Sequence, residues 1–196
     1  MKKLFFETIK IEYGKIFNIE YHNQRAFNTI NKNFGIKKEI DLKKFINPPK
    51  SGLFRCKIVY DKDILDVKYY PYKPRVIKSL KVVYSNIDYS FKYLNRDEID
   101  SLFEKREGCD DILIVKDGLI RDTSIANIAF FDRNRWITPR KPLLKGTTRE
   151  RLLKERKIFE EDIRIEDIKR FKKFAIMNAM VGFVEIKGAL KERYVK

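Results

Sequence analysis

The chain's 196 residues, 43% hydrophobic and 37% charged, are enough to bury a real core in one domain or two small ones, and this is not the composition of a disordered segment. Two cysteines, Cys56 and Cys109, and a single histidine, His22, exclude a disulfide scaffold and leave no ligand set for a zinc or thiolate site, while the lack of a long apolar run or a signal-peptide pattern points to a cytoplasmic protein away from membranes. The formal charge of +16 raises a nucleic-acid partner, but basic residues are interleaved with acids, as in KKEIDLKK and NRDEIDSLFEKRE, which favours a solvated surface whose field suits anionic small molecules.

Alternating apolar residues in Leu4–Ile11, a turn at Tyr13-Gly14-Lys15 and a second run Ile16–Tyr21 predict a hairpin. Helical spacing follows over His22–Phe34, with Gly35 in a C-terminal cap position. Asp41–Ile46 reads as a short helix stopped by Pro48-Pro49. Leu53–Tyr60 and Ile64–Tyr70 predict a second hairpin across Asp61-Lys62-Asp63, and Pro71 and Pro74 mark the boundary between a lobe of residues 1–74 and one of residues 75–196. Ser79–Tyr84 is a further strand, and Arg96–Gly108 is an amphipathic helix capped by Asn95. Then come strands Asp111–Lys116 and Ile125–Phe131 around an Asp117-Gly118 turn, a break at Thr138-Pro139, and a helix Thr147–Arg156. Ile158–Ile165, a short helix Glu166–Phe171 and the apolar run Phe174–Met180 complete a mixed α/β chain in two lobes.

Two stretches concentrate groups with chemical use. In Ser90–Arg96, Lys92 lies between aromatic and apolar neighbours, where an amine can be desolvated and its pKa lowered. In Asp111–Arg149, the Gly146-Thr147-Thr148-Arg149 piece closes a loop onto a helix start, with Thr147 as N-cap; exposed N–H groups there make a phosphate seat. Cys56 and Cys109 have no basic partner and read as inert thiols, and His22 as a packing residue.

Several short motifs then occur together and in order: Phe5-Phe6-Glu7-Thr8, His22-x-x-Arg25, Lys92-Tyr93-Leu94-Asn95, Asp122-x-x-x-x-Asn127, Gly146-Thr147-Thr148-Arg149 and Met177-Asn178-Ala179. Over most of its length the chain resembles the class IV pyridoxal-phosphate aminotransferase family, which includes branched-chain and D-amino-acid aminotransferases and aminodeoxychorismate lyase. The resemblance implies a two-lobed D-amino-acid aminotransferase-like fold with pyridoxal phosphate in the cleft, in a homodimer. It implies that Lys92 forms the Schiff base and then shuttles protons, with Asn95 beside it. Arg25 would clamp the phosphate, with Thr147, Thr148, Asn178 and Ala179 approaching it. Asp122, followed at the family spacing by Asn127, would face the pyridine nitrogen; the family has glutamate there, and aspartate is one methylene shorter.

Two details lean toward the lyase, which eliminates pyruvate to give 4-aminobenzoate. Lys92–Arg96, K-Y-L-N-R, resembles the lyase form K-H-L-N-R and lacks the tyrosine five residues after the lysine of branched-chain enzymes. Thr8 falls where lyases carry a threonine that assists elimination. A D-amino-acid or branched-chain type aminotransferase stays open, and so, from another class, does a lapsed fold acting as a basic nucleic-acid-binding protein. Family members usually run longer, and the strand before Phe5 and the segment Ile46–Pro49 look trimmed.

Overall fold

A computed structural model describes residues 3–186. These residues divide into two compact units, one made of those up to 74 together with 91–95, the other of 75–90 together with 96–186. The segment Phe91–Asn95, which carries Lys92, therefore belongs to the first unit although it lies beyond Pro74.

In the first unit, strands β1 (Phe5–Glu12), β2 (Lys15–Ile16), β3 (Leu53–Tyr60) and β4 (Ile64–Pro71) form an antiparallel sheet in the order β2-β1-β3-β4. Strand alternation sends Phe5, Glu7, Ile9 and Ile11 to one face, where all four are buried. Helix α1 (Ile19–Phe34) packs Ala26 and Ile30 onto that face with Cys56, Ile58 and Tyr60 of β3. The run Ile16–Tyr21 is not a full strand: β2 ends at Ile16, Asn18 takes a left-handed conformation (φ 52°), and the helix begins at Ile19. Gly35 closes it with φ 70°, its N–H on the Asn31 carbonyl. Leu42–Phe45 is a single 3-10 turn capped by the Asp41 side chain on the Lys43 N–H.

The returning segment lies along the start of β1. Phe6 N–H donates to the Lys92 carbonyl at 3.0 Å, Leu94 N–H donates to the Leu4 carbonyl at 2.8 Å, and Phe5 bridges Tyr93. Phe5 is the hub of an aromatic cluster, with ring centroids 5.4 Å from Tyr93, 5.9 Å from Tyr60, 6.1 Å from Phe91 and 6.2 Å from Phe34.

The second unit is built on strands β5 (Leu80–Tyr84), β6 (Asp111–Lys116), β7 (Leu119–Thr123), β8 (Asn127–Asp132), β9 (Arg135–Pro139) and β10 (Ile158–Glu161), neighbours in the order β10-β9-β8-β7-β6-β5. The sheet forks at β8, which also pairs with β11 (Lys173–Asn178), itself paired with β12 (Gly182–Ile186). Helix α2 (Asp97–Glu104) is capped by Arg96 rather than Asn95 and stops short of Gly108, because Glu107 and Gly108 turn the chain at φ 48° and 80°. Helix α3 (Thr147–Lys154) has Gly146, not Thr147, at its N-cap. Ile128, Phe130, Ile137, Phe174 and Ile176 form the centre of this unit's core.

Candidate active site

In the first unit the chemistry gathers on the two faces of β1. On the buried face stands Glu7, which the sequence reading assigned no role. Its carboxylate is wholly buried and takes two bonds from the Arg25 guanidinium, from Nε at 2.9 Å and Nη2 at 2.5 Å, and one from His22 Nδ1 at 2.5 Å. Burial alone would push this acid up; the Arg25 charge and the hydrogen bonds from His22 and Arg25 outweigh it and hold Glu7 at about 2. Burial pushes His22 below the usual imidazole range, so the ring is neutral, donating from Nδ1. The spacing His22-x-x-Arg25 places both residues one helical turn apart on the same side of α1, facing Glu7. Tyr60 closes the pocket, and burial raises its phenol above the ordinary range.

On the opposite face of β1 stand Phe6 and Thr8. The Lys92 ammonium lies 4.6 Å from the centre of the Phe6 ring, a placement set by the backbone bond between Phe6 and Lys92. Lys92 is half-buried and Asn95 is exposed. Arg25 and Thr8, although only a few strand and helix positions away from Glu7, thus belong to opposite faces of one sheet.

In the second unit, Asp122 and Asn127 are direct partners across the β7–β8 turn, which is the physical content of their spacing. Asn127 Nδ2 donates to Asp122 Oδ1 at 2.7 Å and to the Leu144 carbonyl at 2.8 Å, while Leu144 N–H donates to Asp122 Oδ2 at 2.9 Å. Burial pushes Asp122 up, and the Leu144 N–H, the Asn127 amide and the Arg149 charge pull it back only to about 6. An acid whose folded pKa exceeds its unfolded value of 3.8 adds stability at low pH that is lost as pH rises through 6. Denaturant unfolding of the cofactor-free protein is therefore expected to show about 1–2 kcal/mol more stability at pH 4.5 than at pH 6.5; Asp122→Asn should remove that rise, and a rise that persists in the variant refutes the assignment.

Leu144 leads into Gly146 and the start of α3. Thr147 and Thr148 are 3% and 1% exposed, and among the described residues neither Oγ1 has a hydrogen-bond partner. Two buried, unanswered hydroxyls beside the unpaired first N–H groups of a helix ask for an anion. Arg149, 1% exposed, lies behind them, bonded to the Pro139 carbonyl at 2.9 Å, Glu160 at 2.6 Å and Glu150 at 2.7 Å. Asn178 shapes the β11–β12 turn: its Oδ1 accepts from Met180 and Val181 N–H, and its Nδ2 donates to the Ile125 carbonyl at 3.3 Å. Ala179, half-buried, sits in that turn.

The amino-transferase class IV family profile matches residues 66–189. The chain belongs to the class IV aminotransferase family. A Haemophilus influenzae protein of uncharacterised role is 39% identical over 183 residues, spanning 90% of this chain and 97% of its own. A solved Haemophilus somnus structure, provisionally named 4-amino-4-deoxychorismate lyase, is 37% identical with a TM-score of 0.85 over 93% of this chain and 98% of its own. A Mycobacterium tuberculosis protein described as a hypothetical aminotransferase, solved with pyridoxal phosphate bound, shares the fold at 16% identity and TM-score 0.79, covering 98% of this chain and 83% of its own. The chain is thus an enzyme of a pyridoxal-phosphate-dependent family with a mixed α/β fold-IV architecture. Each unit by itself carries groups that suit that cofactor: in the second, two orphaned hydroxyls at a helix start and a buried carboxyl at Asp122; in the first, an amine at Lys92 and a guanidinium at Arg25.

Proposed function

We propose that this chain binds pyridoxal phosphate and eliminates pyruvate from 4-amino-4-deoxychorismate, leaving 4-aminobenzoate. The observation that carries the reading is Thr8 on the same sheet face as Phe6, whose ring receives the Lys92 ammonium; the name of the 37%-identical Haemophilus somnus protein supports it.

When bound, pyridoxal phosphate supplies an electron sink for the charge left at the carbon that bears the substrate's amino group. Lys92 is the residue that attaches it and that accepts the proton from that carbon. The carbon–oxygen bond to the enolpyruvyl group breaks as the ring becomes aromatic, and its electron pair leaves on oxygen. The proton returns through Lys92, with the Thr8 hydroxyl as donor toward the departing group, and enolpyruvate becomes pyruvate; no oxidant is needed. The orphaned Thr147 and Thr148 hydroxyls and the N–H groups of α3 hold the phosphate, as does Arg25. Asp122 is the carboxyl for the ring nitrogen, with Asn127 and Leu144 fixing both of its oxygens. The enzyme works as a homodimer in the cytoplasm.

Wild-type protein incubated with pyridoxal phosphate and desalted should keep a yellow band that borohydride bleaches, and should release 4-aminobenzoate and pyruvate from the substrate. Lys92→Ala should lose borohydride-fixed cofactor completely while melting like the wild type. A fixed adduct in that variant would move the attachment to another residue, and amino transfer to a 2-oxo acid without pyruvate release would make the enzyme a transaminase.

A further inference from the structure

The face of the first unit's sheet that turns away from α1 carries a row of cations. Strand alternation and register put Lys10 of β1, Arg55 and Lys57 of β3 and Lys68 of β4 on it, with Thr8, Lys57 and Lys68 directly opposite one another across three strands. Most of these charges are answered locally. Lys10 pairs with Glu12 at 2.9 Å, Lys68 with Asp66 at 3.1 Å, and the Arg55 guanidinium stacks 5.1 Å from the Tyr70 ring. Lys57 differs. It is half-buried, and among the described residues its ammonium has no acid and no hydrogen-bond acceptor; it stands over the Phe6 ring, 5.2 Å from its centre. That ring is the one that also receives Lys92, at 4.6 Å.

We propose that Lys57 is the residue with which this chain holds a carboxylate of its substrate. The inference rests on the reading of Lys92 as the reacting amine. Two ammonium groups on one aromatic ring, with Thr8 across the strand from the second, leave a positive site beside the reacting amine that a substrate anion completes. Its position is fixed, since β3 is paired over its full length with β1 on one side and β4 on the other. A lysine is a compact point charge, so it recognises a carboxylate by charge more than by bidentate shape. The substrate class is therefore an amino compound bearing a carboxylate remote from the bond that breaks.

The experiment uses the cofactor-loaded enzyme and two probes of one shape, 4-aminobenzoate and the neutral 4-aminobenzamide, with binding read from the visible cofactor band. Wild type should prefer the acid by roughly 10- to 100-fold, the loss expected for one charge-assisted hydrogen bond. Lys57→Gln should erase that preference and raise KM for 4-amino-4-deoxychorismate by a similar factor, with kcat, cofactor retention and melting little changed, and Lys57→Arg should restore part of it. Equal binding of acid and amide by the wild type, or an acid preference that survives Lys57→Gln, overturns the proposal. A wild type that retains no cofactor overturns the catalytic reading, and the role of Lys57 with it; a loaded wild type whose preference ignores Lys57 overturns this inference alone.

Discussion

Glu7→Ala is expected to destabilise the first unit by about 3–5 kcal/mol, the loss typical when one partner of a buried ion pair is removed. The reason is what remains behind. Arg25 keeps its charge at a side-chain exposure of 13%, and His22 Nδ1 loses its acceptor inside a pocket with no exposure at all. Glu7→Gln keeps the shape and removes only the charge, so it isolates the electrostatic share. A carboxyl held at about 2 in the folded chain against 4.5 when unfolded stabilises fully above pH 4.5, and that contribution disappears as pH falls toward 2. Urea midpoints should therefore fall in the wild type as pH drops from 4.5 to 2, and that fall should be lost in Glu7→Gln. A loss below 1 kcal/mol for Glu7→Ala would show that the triad does not hold α1 to the sheet.

The second large effect belongs to Gly146→Ala. Its backbone, at φ −72° and ψ 141°, suits any residue, so conformational freedom is not what the glycine provides. Space is. A Cβ there would stand 2.0 Å from Asn127 Oδ1 and 3.2 Å from its Cγ. Asn127 cannot simply rotate aside, because its amide is bonded to Asp122 and to the Leu144 carbonyl inside a buried cluster. Breaking both bonds or shifting the start of α3 costs about 2–4 kcal/mol. Thermal unfolding of Gly146→Ala, Asn127→Ala and the double variant tests the cause: the double variant should be clearly less destabilised than the sum of the singles. Strict additivity would mean that the collision is relieved elsewhere.

Much of this was readable beforehand, and the exceptions share a cause. Strands β3 and β6 have the limits the sequence predicts, because turn residues bracket continuous or alternating apolar runs. Strands β7 and β9 escaped notice. Their sequences, LIRDT and RWITP, put charged and polar residues at positions that are nonetheless buried, Arg121 and Asp122 among them. Partners decide the burial of such groups, and partners lie far away in the chain: Arg121 bonds the Lys141 carbonyl and Asp122 the Leu144 N–H. The motif around Lys92 is what singles it out among the chain's many lysines. Glu7 carried a different signal, a carboxylate in the inward stripe Phe5, Glu7, Ile9, Ile11, which alternation alone marks as needing a cation. Gly146 gave none, since the atom that excludes a side chain belongs to Asn127, on strand β8. Asn18 misled the reading of α1, because a left-handed asparagine converts an apparently alternating run into a helix entry.

The segment Phe91–Asn95 returning to β1 has a consequence for how the chain is made. Emerging from the ribosome, residues 1–74 contain all four strands and the helix of the first unit, yet the aromatic cluster around Phe5 still lacks Phe91 and Tyr93, and β1 lacks the neighbour that binds its first residues. The four-stranded sheet waits without those two rings while the second unit's first strand is synthesised. Tyr93, which joins the Phe5 cluster, is next to Lys92, so the Lys92 amine reaches the Phe6 ring only in a chain whose first unit has been completed.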